Sequence, residues 1–149
     1  HQAAYKGKAE ATKFLLTLPG LNPFITTSNG RTALHCAAKN GNIETIEALL
    51  SIEGININKQ DSDGDTPLHI AVNNRHVEVI HRFLDVPGIK FNIHNKRGRA
   101  AFDLCPRHFL VPFRQKMDKI IANARAHIRE VKAAKKEARA KAKEDKMRE

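Results

Sequence analysis

A chain of 149 residues is long enough for one domain with a sizeable core, and its 41% hydrophobic content is ordinary for a globular protein. The net charge of +10 is lopsided: residues 1–112 hold 13 Lys/Arg against 10 Asp/Glu, whereas residues 113–149 hold 13 against 6. No apolar run reaches the roughly 18 residues of a membrane span, no secretory signal follows His1, and Cys36 and Cys105 make neither a disulfide framework nor a CxxC pair. These features imply an intracellular setting, cytoplasmic or nuclear; a pathogen protein working in host-cell cytosol would read the same.

The elements repeat. Gly30, Gly64 and Gly98 stand 34 apart, and Thr32-Ala33-Leu34-His35 returns as Thr66-Pro67-Leu68-His69. On the same lattice fall His1, His35, His69 and Asp103, then Leu15-Leu16, Leu49-Leu50 and Phe83-Leu84, then Gly20, Gly54 and Gly88. The first unit, residues 1–27, begins at the His of the motif and lacks its opening turn, which suggests a fragment or a removed cap. Two complete units follow at 28–61 and 62–95.

Each unit predicts a turn, a helix, a turn and a second helix. Thr32 and Thr66 cap the first helix, and Pro67 suits its first position, where a missing N–H costs nothing. Ala37-Ala38 keep that helix thin, and Gly41 closes the inter-helix turn. Ile43, Ile46, Leu49 and Leu50, then Val77, Val79, Ile80, Phe83 and Leu84, give the second helix an apolar face. Gly54 and Gly88 read as helix stops. At Arg75 the pattern departs from Gly7 and Gly41; a left-handed residue there costs about 1 kcal/mol. In the terminal unit, residues 96–112, Ala100-Ala101-Phe102-Asp103 replaces the motif and Pro106 ends the first helix early. One such unit cannot bury its own apolar face, so the units must stack.

These residues resemble the ankyrin repeat over roughly residues 1–104, most closely in Gly64-Asp65-Thr66-Pro67-Leu68-His69-Ile70-Ala71-Val72. The resemblance implies an all-α repeat solenoid of helix-turn-helix units with turn or hairpin tips. It implies structural roles for Thr32, His35, Thr66, Pro67 and His69, each motif His bonding across to a neighbouring turn. It also implies a protein-binding scaffold or adaptor, here expected to be a monomer. The partner would meet the tips, at Ser28, Asn29, Arg31, Ser62, Asp63, Asp65, Lys96, Arg97 and Arg99. It would also meet the concave face, at Tyr5, Lys6, Lys39, Asn40, Asn73 and Asn74. The tips run from weakly basic through acidic to basic, which suits a partner of mixed or mainly acidic surface.

From Phe113 the pattern changes. Phe113, Met117, Ile120, Ile121, Ala124, Ile128 and Val131 share one helical face, which predicts a capping helix over 113–131. Residues 132–149 are Ala, Lys, Arg and Glu with nothing large to bury before Met147, so helix is expected to about residue 135 and fraying beyond. The competing function for this tail is electrostatic binding of nucleic acid or an anionic membrane, without an aromatic to stack on bases or an apolar face to insert.

Catalytic chemistry finds no foothold. His76 and His81 are five apart, not the four that two ligands on one helical face need. Asp61–Asp65 lacks the sixth-position Gly and twelfth-position Glu of a calcium loop and reads as a solvated turn. Cys36 reads as a buried inert thiol and Cys105 as structural. With no phosphate loop, no GxSxG and no paired carboxylate, no enzyme activity, cofactor or metal is expected.

Overall fold

The computed structural model describes residues 1–105 and 110–148. They fall into two compact units, His1–Leu110 and Val111–Glu149.

In the first unit, helices come in pairs: α1 (Gln2–Tyr5) with α2 (Ala9–Thr17), α3 (Ala33–Asn40) with α4 (Ile43–Leu50), and α5 (Pro67–Asn73) with α6 (Val77–Leu84). A single 3₁₀ turn, Ala101–Leu104, holds the place of the next first helix. The first helices form one row, α1 on α3, α3 on α5 and α5 on the 3₁₀ turn; α2, α4 and α6 form a second row behind. Small side chains let the first row close up: Ala4, Ala37, Ala38 and Ala71 are buried beside Leu34 and Leu68. The second row supplies the bulk of the core through Ile46, Leu49, Val79, Ile80, Phe83 and Leu84. Val77, expected on that apolar face, is instead exposed, at the first position of α6.

The turns of the second and third helix pairs each carry a lock to the preceding repeat. The amide of Asn42 donates to the Ala4 carbonyl at 3.1 Å, and the His76 ring donates from Nε2 to the Lys39 carbonyl at 2.9 Å. His76 thereby lies over Gly41, where a Cβ would meet its Nδ1 at 2.5 Å, so Gly41 answers to close approach as well as to its φ of 72°. Arg75 adopts the same left-handed backbone with φ 60°, as its register predicts. Gly54 and Gly88 lie beyond the helix ends proper, which are at Ser51 and Asp85 in ordinary right-handed geometry.

The first repeat leaves more apolar surface open than the others. Leu15, the counterpart of Leu49 and Phe83, is 37% exposed where those two are 2% and 0%. Phe14, Leu18, Leu21, Phe24 and Ile25 are exposed with it. Pro106, expected to end the last first helix, lies outside the described residues.

The second unit is the helix α7, Leu110–Met147. It continues past residue 135, where fraying was expected, because Ala, Lys, Arg and Glu all favour helix strongly enough to propagate a turn already formed. Of its expected apolar face, Ile120 and Ile121 are half-buried and Ile128 and Val131 exposed; the side chains of Phe113, Met117 and Ala124 lie outside what is described.

Candidate functional site

The motif residues build the scaffold that presents the tips. Thr32 and Thr66 are the N-caps of α3 and α5, and Pro67 takes the first position of α5. The backbone N–H of Thr32 donates to His35 Nδ1 at 3.1 Å, and Thr66 repeats this with His69 at 3.2 Å. With Nδ1 accepting, Nε2 carries the proton. It donates to the next tip: His35 to the Asp65 carbonyl at 2.9 Å and His69 to the Arg99 carbonyl at 3.1 Å. Burial, opposed chiefly by that carbonyl, holds the His35 ring below its ordinary pKa of 6.5 and so keeps it neutral. In the degenerate last repeat Asp103 takes over the capping half of the histidine's work, accepting the Ala100 N–H at 2.7 Å.

A second set of residues, not picked out from the sequence, shapes the tips themselves. Thr27, Asp61 and Asn95 share a lattice position, and each side-chain oxygen accepts backbone N–H groups of its own turn. Asp61 Oδ1 takes Asp63 at 3.0 Å and Asp65 at 2.9 Å; Asn95 Oδ1 takes Arg97 at 3.0 Å and Arg99 at 3.1 Å; Thr27 Oγ1 takes Arg31 at 3.2 Å. Asp61 is therefore not part of a solvated turn: its side chain is 0% exposed, and it is paired with Arg31 at 3.2 Å. The available signal was an Asn, Asp or Thr recurring five residues before each motif Thr or its counterpart.

The tips are tied into a chain. Arg31 reaches Asp61 on the next tip, and Asp65 reaches the Asn95 amide on the one after at 2.7 Å. The Ser62 N–H donates to the Asn29 carbonyl and the Lys96 N–H to the Asp63 carbonyl, both at 3.0 Å. Of the expected tip contacts, Arg31 and Asp65 are thus half-buried and engaged within the protein. Ser28, Asn29, Ser62, Asp63, Lys96, Arg97 and Arg99 are exposed. Lys96, Arg97 and Arg99 make no ion pair among the described residues.

On the row of first helices, Tyr5, Lys6, Lys39, Asn40, Asn73 and Asn74 are all exposed, as the register predicts. Lys39 lies 5.6 Å above the centre of the Tyr5 ring, within cation–π range. Two amides are spent within the protein, Asn40 on the Tyr5 carbonyl of the preceding repeat and Asn74 on the Ile70 carbonyl one turn earlier.

Cys36 is half-buried rather than buried, since it lines an open surface cavity with Gln2, Tyr5 and Lys6 of the preceding repeat; desolvation raises its thiol pKa, as it does that of Cys105. Among the described residues no group of three or more His, Cys, Asp or Glu is placed to hold a metal ion, and no helix is long and apolar enough to cross a membrane.

No curated protein compared with the chain matches it. The family model for ankyrin repeats, in three copies, matches residues 1–95. That span takes in all three helix pairs, the capping histidines His35 and His69 and the first two tips, and the chain belongs to the ankyrin-repeat family, whose repeats are generally protein–protein interaction modules.

Proposed function

We propose that this protein is an intracellular adaptor or regulatory module that binds a protein partner through its tips and its row of first helices. The observation that carries the reading is a division of labour along the lattice. Motif residues turn inward and are spent on capping and stacking. The residues between them project from a backbone that hydrogen bonds hold at every tip, so they can engage a partner with little ordering cost. The free thiols Cys36 and Cys105 agree with a reducing compartment.

The test is quantitative capture of a lysate protein by the immobilised chain. Lys96, Arg97 and Arg99 changed together to Gln should weaken capture at least tenfold while the melting curve stays put, and deleting residues 132–149 should leave it within twofold. Tip variants that capture as the parent does, together with loss on deletion, would overturn the reading.

A second reading rests on α7. Lys132, Lys136, Arg139 and Lys143 recur every three or four residues along an unbroken helix and are all exposed, a basic stripe suited to a polyanion. Retention on heparin that collapses between 50 and 200 mM salt, roughly as several released counterions require, would favour it.

A further inference from the structure

The way one tip seats the next shows what the third tip is shaped to receive. At the first seat three features act together. Arg31 holds the carboxylate of Asp61; the Asn29 carbonyl accepts the N–H of Ser62, the very next residue; and Gly30 lets that backbone close in, since a Cβ there would lie 3.3 Å from the Ser62 nitrogen. At the second seat Asp65 holds the Asn95 amide, the Asp63 carbonyl accepts the Lys96 N–H, and a Cβ on Gly64 would lie 2.8 Å from the Lys96 nitrogen.

The third tip repeats the hardware. Arg99 stands where Arg31 and Asp65 stand, Arg97 where Asn29 and Asp63 stand, and Gly98 where Gly30 and Gly64 stand. Here the seat is open. Among the described residues, nothing lies within 4 Å of a Cβ placed on Gly98, Arg99 is exposed, and no hydrogen bond reaches the Arg97 carbonyl. The lattice places that would fill it, residues 129 and 130, are inside the helix α7 and cannot supply a turn. The backbone of the open seat is nevertheless rigid, pinned by Asn95 Oδ1, by the Asn95–Arg99 pairing at 2.9 Å and by the His94–Ala100 bridge.

We propose that Arg97, Gly98 and Arg99 form a docking seat for an acidic turn of the protein partner, one that mimics Asp61-Ser62 at the first seat. An Asp carboxylate meets the Arg99 guanidinium, and the N–H of the residue after it donates to the Arg97 carbonyl. Of the two chemistries the lattice displays, the charge selects the first. A cation at this position already holds a carboxylate once in this molecule, at Arg31, and the neighbouring Lys96 and Arg97 add to the attraction. This refines the partner chemistry of the function proposed above and rests on it.

The probe is a cyclised peptide reproducing residues 59–67, titrated into the full chain while backbone amide shifts are followed. Saturable shifts confined to residues 96–99 are expected, with none at 28–31, where the seat is filled. Asp61→Asn in the peptide keeps the turn, as Asn95 does, and should weaken binding about tenfold, or 1.4 kcal/mol. Arg99→Gln in the chain should do the same, and the two changes together should lose no more than either alone, because they remove one contact. Additive losses, shifts on residues 28–31 or 132–143, or no saturable shift would overturn the seat. Its failure beside intact tip-dependent partner capture would leave the broader function standing.

Discussion

Replacing Leu49 by Ala tests whether the lattice assigns the core correctly. Leu49 lies in α4 and is 2% exposed. Removing three carbons at about 0.8 kcal/mol per buried methylene costs roughly 2.4 kcal/mol in transfer alone. The cavity left between stacked helices raises this into the range of about 2–5 kcal/mol. Leu15 occupies the same lattice place but is 37% exposed, so Leu15→Ala should cost less, on the order of 1–1.5 kcal/mol. In urea, a loss of about 3 kcal/mol against a slope of about 2 kcal/mol per molar moves the midpoint down by about 1.5 M. The chain has one tyrosine, Tyr5, and no tryptophan, so tyrosine fluorescence reports the first repeat alone. Short arrays unfold through coupling to nearest neighbours, so Leu49→Ala should shift the Tyr5 transition although Tyr5 is a repeat away. A Tyr5 transition that ignores Leu49→Ala, or a Leu15→Ala shift as large as that of Leu49→Ala, would refute the register.

Two further outcomes follow from single residues. Arg75→Gly removes a side chain from a left-handed backbone and should stabilise by about 0.5–1 kcal/mol, raising Tm by about 1–4 °C in calorimetry; an unchanged or lower Tm would mean that Arg75 makes compensating contacts. His35 has a folded pKa below 6.5, so its contribution is whole above pH 6.5 and is lost progressively as pH falls below that value, where the unfolded chain takes up a proton that the folded ring refuses. Urea midpoints measured from pH 7.5 to pH 5 should therefore decline, and His35→Gln should flatten part of that decline; an identical slope in the variant would show that another group is responsible.

How much of this was legible beforehand depended on the range of the physics involved. Helix pairs, N-caps, the inward histidines and the left-handed Arg75 are encoded locally. Capping, turn geometry and the 3.6-residue apolar period act within a few neighbours, and a lattice of 34 multiplies each signal. The exposure of Lys96, Arg97 and Arg99 also followed from register alone. Arg31 and Asp65 did not behave like their neighbours. Each looks like a free surface charge in the sequence, and each is spent on a residue 30 positions away, because stacking brings the next tip within reach of a long or acidic side chain.

Asp61 is the plainest case of what only the tertiary structure decided. Read alone, an aspartate among Ser and Gly in a polar loop belongs in water. In the stack its carboxylate is desolvated, which a charge tolerates only when paired, and Arg31 from the preceding tip supplies the pair while two backbone N–H groups take the other oxygen. The helix α7 shows the opposite limit: propensity carried it past residue 135 with no large side chain to bury, since a helix already nucleated propagates one hydrogen bond per residue. Composition and period thus determined which elements form and which faces they bury. Which surface charges remain free to meet a partner was decided by distances between units that no local pattern contains.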